Sequence, residues 1–496
     1  MSPTHTYRSI MKGTALFGGT QIVNILVNIL RGKLVAILLG TLGMGITALY
    51  MSTLLPLQQL FSLGLPLAVV SVIAATDASS AGGRHLMRAK VEAYRRCLVI
   101  LALLGAAVLL IGAPLFSRSA FGDTGHTRAF MCLSVALVFL ILEAGETAIL
   151  QARRQMRQVA VRTVVNAVGS LIIGVPLYYF FGVRGIVPAI VLTAAVVWAY
   201  SRRQTRRLHL CQRSQSWSAT WYLGRGIMAL GFFMMLAALF GNLTNYALNA
   251  LIRSLGGVSD VGLYQAANSI TSQYVGLVFA AMATDYYPRL ASLKDDREGF
   301  HTLVHKEYEL VLLIVAPLVA LLILTAPLLI RILLTAEFLP LTGVIRLMGL
   351  AILCKAACFP LDYVSMAHGR KRYFFWMEGV WCNAKTFAVM AACYYFWGLQ
   401  GLGWGALISG LIDVCVTTFM TRWFFGITTG RLQLRFFLPL MLALGGCTAF
   451  SLCPNAVVAY SGMTIVTVVI SAVCLCLLAR RANLSEWLRG KFRKEK

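Results

Sequence analysis

Four residues of the first long apolar run, Gln21, Asn24, Asn28 and Arg31, recur at spacings of 3, 4 and 3. That spacing sets three amides and a guanidinium on one face of an α-helix. A run in the second half repeats the device with Asn242, Asn245, Asn249 and Arg253, at spacings of 3, 4 and 4. Amides both donate and accept, which suits hydroxyl-rich ligands, and a guanidinium offers forked donors matched to phosphate oxygens. Facing lipid, either stripe would be costly, so both are expected to face protein or a watery cavity. Cavity lining and amide bonding between helices are the two roles open to them.

Lys33 follows Arg31 closely but points roughly 200° around the helix from it, at about 100° per residue. It lies near the helix end, so its position fits a cavity or a side chain snorkelling to the interface. Other charges inside apolar runs are Arg346, Lys355 and Lys385, with Glu143, Glu146, Asp362, Glu378 and Asp413. Lys355 and Asp362 are seven apart, as are Glu378 and Lys385. Each pair shares a face but lies two turns apart, so pairing across helices is the alternative to a site. Glu143 and Glu146 are three apart; with Asp413 they are the candidates for coupling to an ion, and hydrogen-bonded structural acids are the competing reading.

These charges sit in a chain of 496 residues that is 59% hydrophobic and 12% charged, with a mean hydropathy of +0.76. Apolar runs long enough to span a bilayer recur from end to end, the mark of an all-α polytopic membrane protein. About fourteen spans are expected. The net charge of +26 is a topology signal. Basic clusters such as Arg84/Arg88/Lys90, Arg153/Arg154/Arg157, Arg202/Arg203/Arg206/Arg207, Arg370/Lys371/Arg372 and the closing LRGKFRKEK fall on every second loop and the tail. Basic loops stay in the cytoplasm, so both termini are expected there, with the basic layer against membrane lipids. No basic soluble domain remains to bind nucleic acid. The twelve cysteines read as small buried hydrophobes, and no metal ligand set or cofactor motif stands out.

YYFFGVRGIVPAI begins at Tyr178 and YYFWGLQGLGWGA at Tyr394, an offset of 216 with five of thirteen positions identical. Near the same offset Leu39-Gly40 meets Leu255-Gly256, and Gly45 falls near Gly262. Two six-helix lobes of equal orientation are therefore expected, a parallel repeat related by an axis along the membrane normal. The division is 1–200 for the first lobe, 201–225 for a basic linker and 226–424 for the second lobe. Two further helices and a basic tail fill 425–496. Parallel six-helix halves are a transporter architecture, enclosing a cavity that opens to each side in turn.

LRGKLVAILLGTLGMGITALY resembles the first-helix signature of the multidrug/oligosaccharidyl-lipid/polysaccharide exporter superfamily. DVGLYQAANSITSQYVGLVFAAMATDYYPRLASL is similar to its O-antigen translocase and lipid III flippase branch, of which the GVRGIVPAI turn is also typical. The resemblance covers roughly residues 8–430. It implies a V-shaped transporter in a bacterial inner membrane, moving an undecaprenyl-pyrophosphate-linked oligosaccharide from the cytoplasmic to the periplasmic leaflet. A glycan polymerase or other biosynthetic protein is a possible partner on this reading. Lys33 matches the basic position that precedes the LLG element in these proteins, which favours a site role for it.

The expected substrate-binding set is then Arg31, Lys33, Arg253, Asn24, Asn28, Asn245, Asn249, Lys355 and Lys385. No GxxxxGK[ST] loop is present, so energy is expected from the membrane potential or an ion rather than ATP. A cation-coupled drug or metabolite antiporter is the alternative. An enzyme acting on polyprenyl-linked glycans is disfavoured, because Asp123, Asp260 and Glu337 are isolated and the outer loops are short.

Overall fold

The computed structural model describes residues 3–74, 81–153, 155–208, 217–293, 296–368, 370, 373 and 375–481, and all regular elements among them are helical. The tail 482–496, the middle of the basic linker at 209–216, Arg154, Lys371, Arg372 and the side chain of Gln21 lie outside the described residues. The helices are α1 (Pro3–Ser62), α2 (Leu65–Ala74), α3 (Ala81–Ile111), α4 (Ala113–Phe121), α5 (Thr127–Ala152), α6 (Met156–Phe181) and α7 (Ile186–Arg206). They continue as α8 (Trp217–Gly256), α9 (Val258–Ser292), α10 (Arg297–Leu333), α11 (Thr342–Ala367), α12 (Cys382–Phe425), α13 (Leu438–Phe450) and α14 (Ala456–Arg481). A π-helical turn, Phe375–Trp381, leads into α12.

Nine stretches among the described residues are long and apolar enough to cross a membrane. Two of them, Met156–Arg206 and Phe375–Phe425, run 51 residues each. A straight helix of that length would reach about 77 Å against a hydrocarbon core of about 30 Å. Each instead folds back on a glycine. Gly182 has φ 55° and ψ −133°, and Gly398, 216 residues later, has φ 56° and ψ −140°. Crossings joined in this way count as one stretch, which is one reason the nine are fewer than the fourteen spans expected.

The second glycine of each turn is held just as closely. A Cβ on Gly185 would sit 2.2 Å from the Leu177 carbonyl oxygen, and one on Gly401 would sit 2.0 Å from that of Cys393. Leu177 and Cys393 are themselves 216 apart, so the repeat seen in the letters is a repeat of backbone geometry. The aromatic triplets before the turns are also alike in exposure. Tyr179, Phe180 and Phe181 are exposed on one, and Tyr395, Phe396 and Trp397 on the other. Aromatic rings at helix ends fit the membrane–water interface, where an apolar body meets a wet rim.

The chain forms two compact units. The first comprises Met1–Gly262 with Leu333–Thr335, and the second Leu263–Ile332 with Ala336–Lys496. In the first, α5 packs on α2, α3 and α7, α1 packs on α6 and α8, and α8 also meets α2, α3 and α4. The start of α9 belongs to this unit and crosses α1 reciprocally. A Cβ on Gly45 would meet the Val258 carbonyl at 1.9 Å, and one on Gly262 would meet the Thr41 carbonyl at 2.0 Å. Without side chains at these two points, the backbones approach closely, as small residues allow between helices in lipid. In the second unit α10 supplies a buried spine of Val311, Leu312, Val315, Ala316 and Val319, and α11 packs along α12.

Gly401→Ala is expected to destabilise the fold by about 2 kcal/mol, because its Cβ would overlap backbone that cannot move away cheaply. Gly169→Ala, with open space around it, should be neutral or gain up to about 1 kcal/mol from helix propensity. Unfolding midpoints in detergent compare the two.

Candidate functional site

Both amide stripes lie in the first unit. On α1 the Asn28 side-chain amide donates to Asn24 Oδ1 at 3.2 Å. On α8 the Asn249 amide donates to Asn245 Oδ1 at 3.3 Å. Asn249 is buried at 1% exposure and its Oδ1 has no hydrogen-bond partner. The i, i+4 spacing that made the stripes visible thus also lets their amides bond along the helix. The two terminal arginines take different partners. Arg31 is half-buried and hydrogen-bonds the Tyr178 side chain of α6.

Arg253 reaches α4. Its Nε donates to the Ala120 carbonyl at 3.0 Å and an Nη to that of Ser119 at 3.2 Å. These carbonyls end α4, where a cation also meets the negative end of the helix dipole. Gly122, at φ 85°, leaves room for the guanidinium, since a Cβ there would lie 2.3 Å from it. Lys33 is half-buried on α1.

The acids of α5 are enclosed by basic side chains from neighbouring helices. Arg162 Nε of α6 lies 2.5 Å from Glu143 Oε1, and Thr147 donates to the same oxygen at 2.7 Å. Glu146 accepts from Arg95 of α3 at 2.7 Å and from Arg202 of α7 at 2.6 Å, with Thr205 also bound. One carboxylate therefore joins three helices.

The second unit contains a cavity of about 580 Å³, within the usual range for ligand pockets. Four elements build its wall. Tyr264, Asn268, Thr271 and Ser272 come from α9, and Lys355 and Asp362 from α11. Glu378 comes from the π-helical turn, and Ser409 and Asp413 from α12. Lys355 is exposed toward this space, its ammonium 5.9 Å from the centre of the Phe279 ring. Asp362 and Glu378 are in hydrogen-bond contact. Two carboxyl groups can bond only with a proton between them, so this contact is a proton-holding one.

Lys385, buried beneath the wall, lies 2.5 Å from Asp413 Oδ1 and donates to the Ser409 carbonyl at 3.0 Å. The fold-back at Gly398 brings these residues, 28 positions apart, into contact. The cavity can thus offer hydroxyls and amides to sugars, one ammonium to an anion and a shared proton.

Of the expected site residues, Lys355 and Asp413 line the cavity and Lys385 supports it, whereas Arg31, Arg253 and the four asparagines occupy the first unit. Asp362 and Glu378 were visible as charged residues in apolar runs. Their convergence was not, because it depends on contacts between helices.

A family model described as polysaccharide biosynthesis protein matches residues 84–342, more than half of the chain. The chain belongs to the polysaccharide biosynthesis protein family. No curated protein sequence matches it. This polysaccharide biosynthesis protein is similar in structure to a multidrug resistance MATE family transporter of the MOP superfamily in an inward-facing conformation. Identity is 16% and the TM-score 0.68, over 81% of this chain and 94% of that one. It is likewise similar to the lipid II flippase MurJ in an inward closed conformation, with 12% identity and a TM-score of 0.68 over 95% and 99% of the two chains. A MOP superfamily transporter from Pyrococcus furiosus, described as having a binding pocket of reverse polarity, gives 15% identity and a TM-score of 0.60 over 83% and 95%. At such identities the likeness is one of fold, and the family member has the all-α fold of the MOP transporters.

Glu146→Gln is expected to lower stability by about 3 kcal/mol, because guanidiniums gathered around a buried carboxylate lose their counter-charge. Asp285→Asn, in an exposed pair with Arg289 that is 65–66% accessible, should change it by less than about 0.5 kcal/mol. Thermal unfolding of the two variants checks the difference.

Proposed function

We propose that this polysaccharide biosynthesis protein is a flippase for an undecaprenyl-pyrophosphate-linked oligosaccharide, an O-antigen or related surface-glycan repeat unit. The observation that carries the reading is Lys355, an ammonium exposed in a cavity otherwise rich in hydroxyls, amides and carboxyls. Sugar hydroxyls cannot cross hydrocarbon unsatisfied, and such a wall can take over their hydrogen bonds. A pyrophosphate needs cations; on this reading Lys355 offers one in the cavity of the second unit, and Arg31 and Lys33 are the candidates of the first. Arg253, bound to the end of α4, positions helices, as do the asparagines that bond along α1 and α8. The polyprenyl tail stays in lipid.

The reading places the protein in a bacterial inner membrane with both termini in the cytoplasm, because the basic segments of the sequence alternate between loops. Movement is by alternating access and the protein is not an enzyme. Outward passage of an anion is favoured by an inside-negative potential of about 2.3 kcal/mol per charge per 100 mV. Coupling to a proton or another cation falls to Asp413 and to the Asp362–Glu378 contact. Glu143 and Glu146, also candidates from the sequence, are assigned a structural part because their oxygens hold basic residues of neighbouring helices. Asp362, Glu378 and Asp413 also favour a second reading, a cation-coupled antiporter of small molecules.

The test is a leaflet-sidedness assay in vesicles with a defined lipid-linked glycan. Lys355→Gln and Arg31→Gln are each expected to slow flipping by about tenfold or more, the worth of a charge-assisted contact. Asp362→Asn should change its dependence on the pH gradient. Full-rate flipping by the Arg31→Gln/Lys33→Gln/Lys355→Gln triple variant overturns the cationic site. Loss of transport only in the carboxyl variants, with the cationic ones unaffected, favours the antiporter.

A further inference from the structure

A second pocket of the same unit lies beside the C-terminal ends of α11 and α12, and shares no lining residue with the cavity lined by Lys355. It encloses about 220 Å³ between Arg297, Phe300 and His301 of α10, His368 just beyond α11, and Phe425 and Ile427 at the end of α12. Among the described residues no carboxylate lines it. Of the two carboxylates flanking Arg297, Glu298 is exposed, and Asp296 is exposed with Oδ1 bound to the Gly299 N–H at 3.0 Å.

The lining is held in place by specific bonds. The His368 ring lies between two aromatic rings, 4.7 Å from Phe300 and 5.0 Å from Phe425. Its Nδ1 is 3.0 Å from the Val364 carbonyl. A carbonyl only accepts, so Nδ1 carries the proton and Nε2 is the edge left for a ligand. By the same logic His305 Nε2 donates to the Thr428 carbonyl at 2.9 Å and ties the chain after α12 to α10. Gly426, at φ 70°, leaves the space that Arg297 needs, with an Nη 3.3 Å from where a Cβ would sit. Arg370 covers Phe425 at 5.1 Å. The charged groups facing His301 are Arg297 and His305 of its own helix and His368 from beyond α11.

We infer that this pocket is an oxyanion site for a phosphate group, presented either as free phosphate or as the headgroup of an anionic lipid. A guanidinium and two imidazoles converge with no carboxylate among the described lining residues, and a phosphate supplies the counter-charge. Its oxygens match the Arg297 fork and accept from imidazole N–H groups. The space suits one phosphate rather than a sugar chain. Protonation of His301 adds a cation and a donor, so binding strengthens as pH falls. The inference does not depend on the flippase reading, since its readout is binding and its residues lie outside that cavity.

The experiment uses the full chain in phosphatidylcholine nanodiscs, titrated with inorganic phosphate, and in parallel in phosphate-free nanodiscs containing phosphatidic acid. Binding is read by calorimetry and by the unfolding midpoint at about pH 5.5 and about pH 8, on either side of the ordinary histidine value of about 6.5. Saturable binding is expected, about tenfold tighter at the lower pH. Arg297→Gln and His301→Gln should each weaken it about tenfold, and Arg203→Gln, outside the pocket, should not. Response to phosphate identifies the soluble source, and response to phosphatidic acid alone identifies the headgroup. If Arg297→Gln fails to fold, the half-exposed His301→Gln decides. Absence of binding in both arms, or equal binding by the wild type and the His301→Gln protein, overturns the inference.

Discussion

Inside hydrocarbon no water completes the hydrogen bonds of a charged side chain, so its partners must come from the protein itself. That constraint organises the helices of both units. Glu146 gathers Arg95, Arg202 and Thr205 from two helices, Glu143 takes Arg162 from a third, and Lys385 takes Asp413 across the Gly398 turn. Arg253 satisfies carbonyls that α4 would otherwise leave open at its end. Each contact fixes the spacing and rotation of its helices more narrowly than apolar packing can, because lipid is as good a solvent for leucine as another helix is. Charges used in this way and enclosed away from a cavity are not available to a ligand. Those with a share in a cavity, Lys355 above all, are where recognition can occur.

The sequence revealed what is local and left hidden what is not. Glycines spaced as in FFGVRG and FWGLQG announced two equivalent turns, since the backbone there requires positive φ and close approach. The stripes of Asn24, Asn28 and Arg31, and of Asn245, Asn249 and Arg253, were legible because helical periodicity is a property of one segment. Their partners were not. The carbonyls bound by Arg253 lie more than 130 residues away, and the arginines around Glu146 belong to other helices. The seven-residue spacings of Lys355 with Asp362 and of Glu378 with Lys385 span two helical turns, about 11 Å, so the sequence left pairing across helices open without naming the partners. The structure joins Asp362 to Glu378 and Lys385 to Asp413.

The repeat gives those pairings a further meaning. At the offset of 216, Glu146 corresponds to Asp362 and Arg162 to Glu378. An acid is retained at the first position, whereas the second changes from base to acid. In the first unit Arg162 meets Glu143 and the acids are enclosed among guanidiniums. In the second, Glu378 stands in the place of an arginine and the two carboxyls face a cavity, where their contact requires a proton. More than one change separates the two arrangements, since Arg95 and Arg202, which hold Glu146, correspond at the same offset to Val311 and Thr418, and Glu143 corresponds to Phe359. The first unit thus holds its α5 acids in ion pairs between helices, and the second leaves Asp362 and Glu378 facing a cavity.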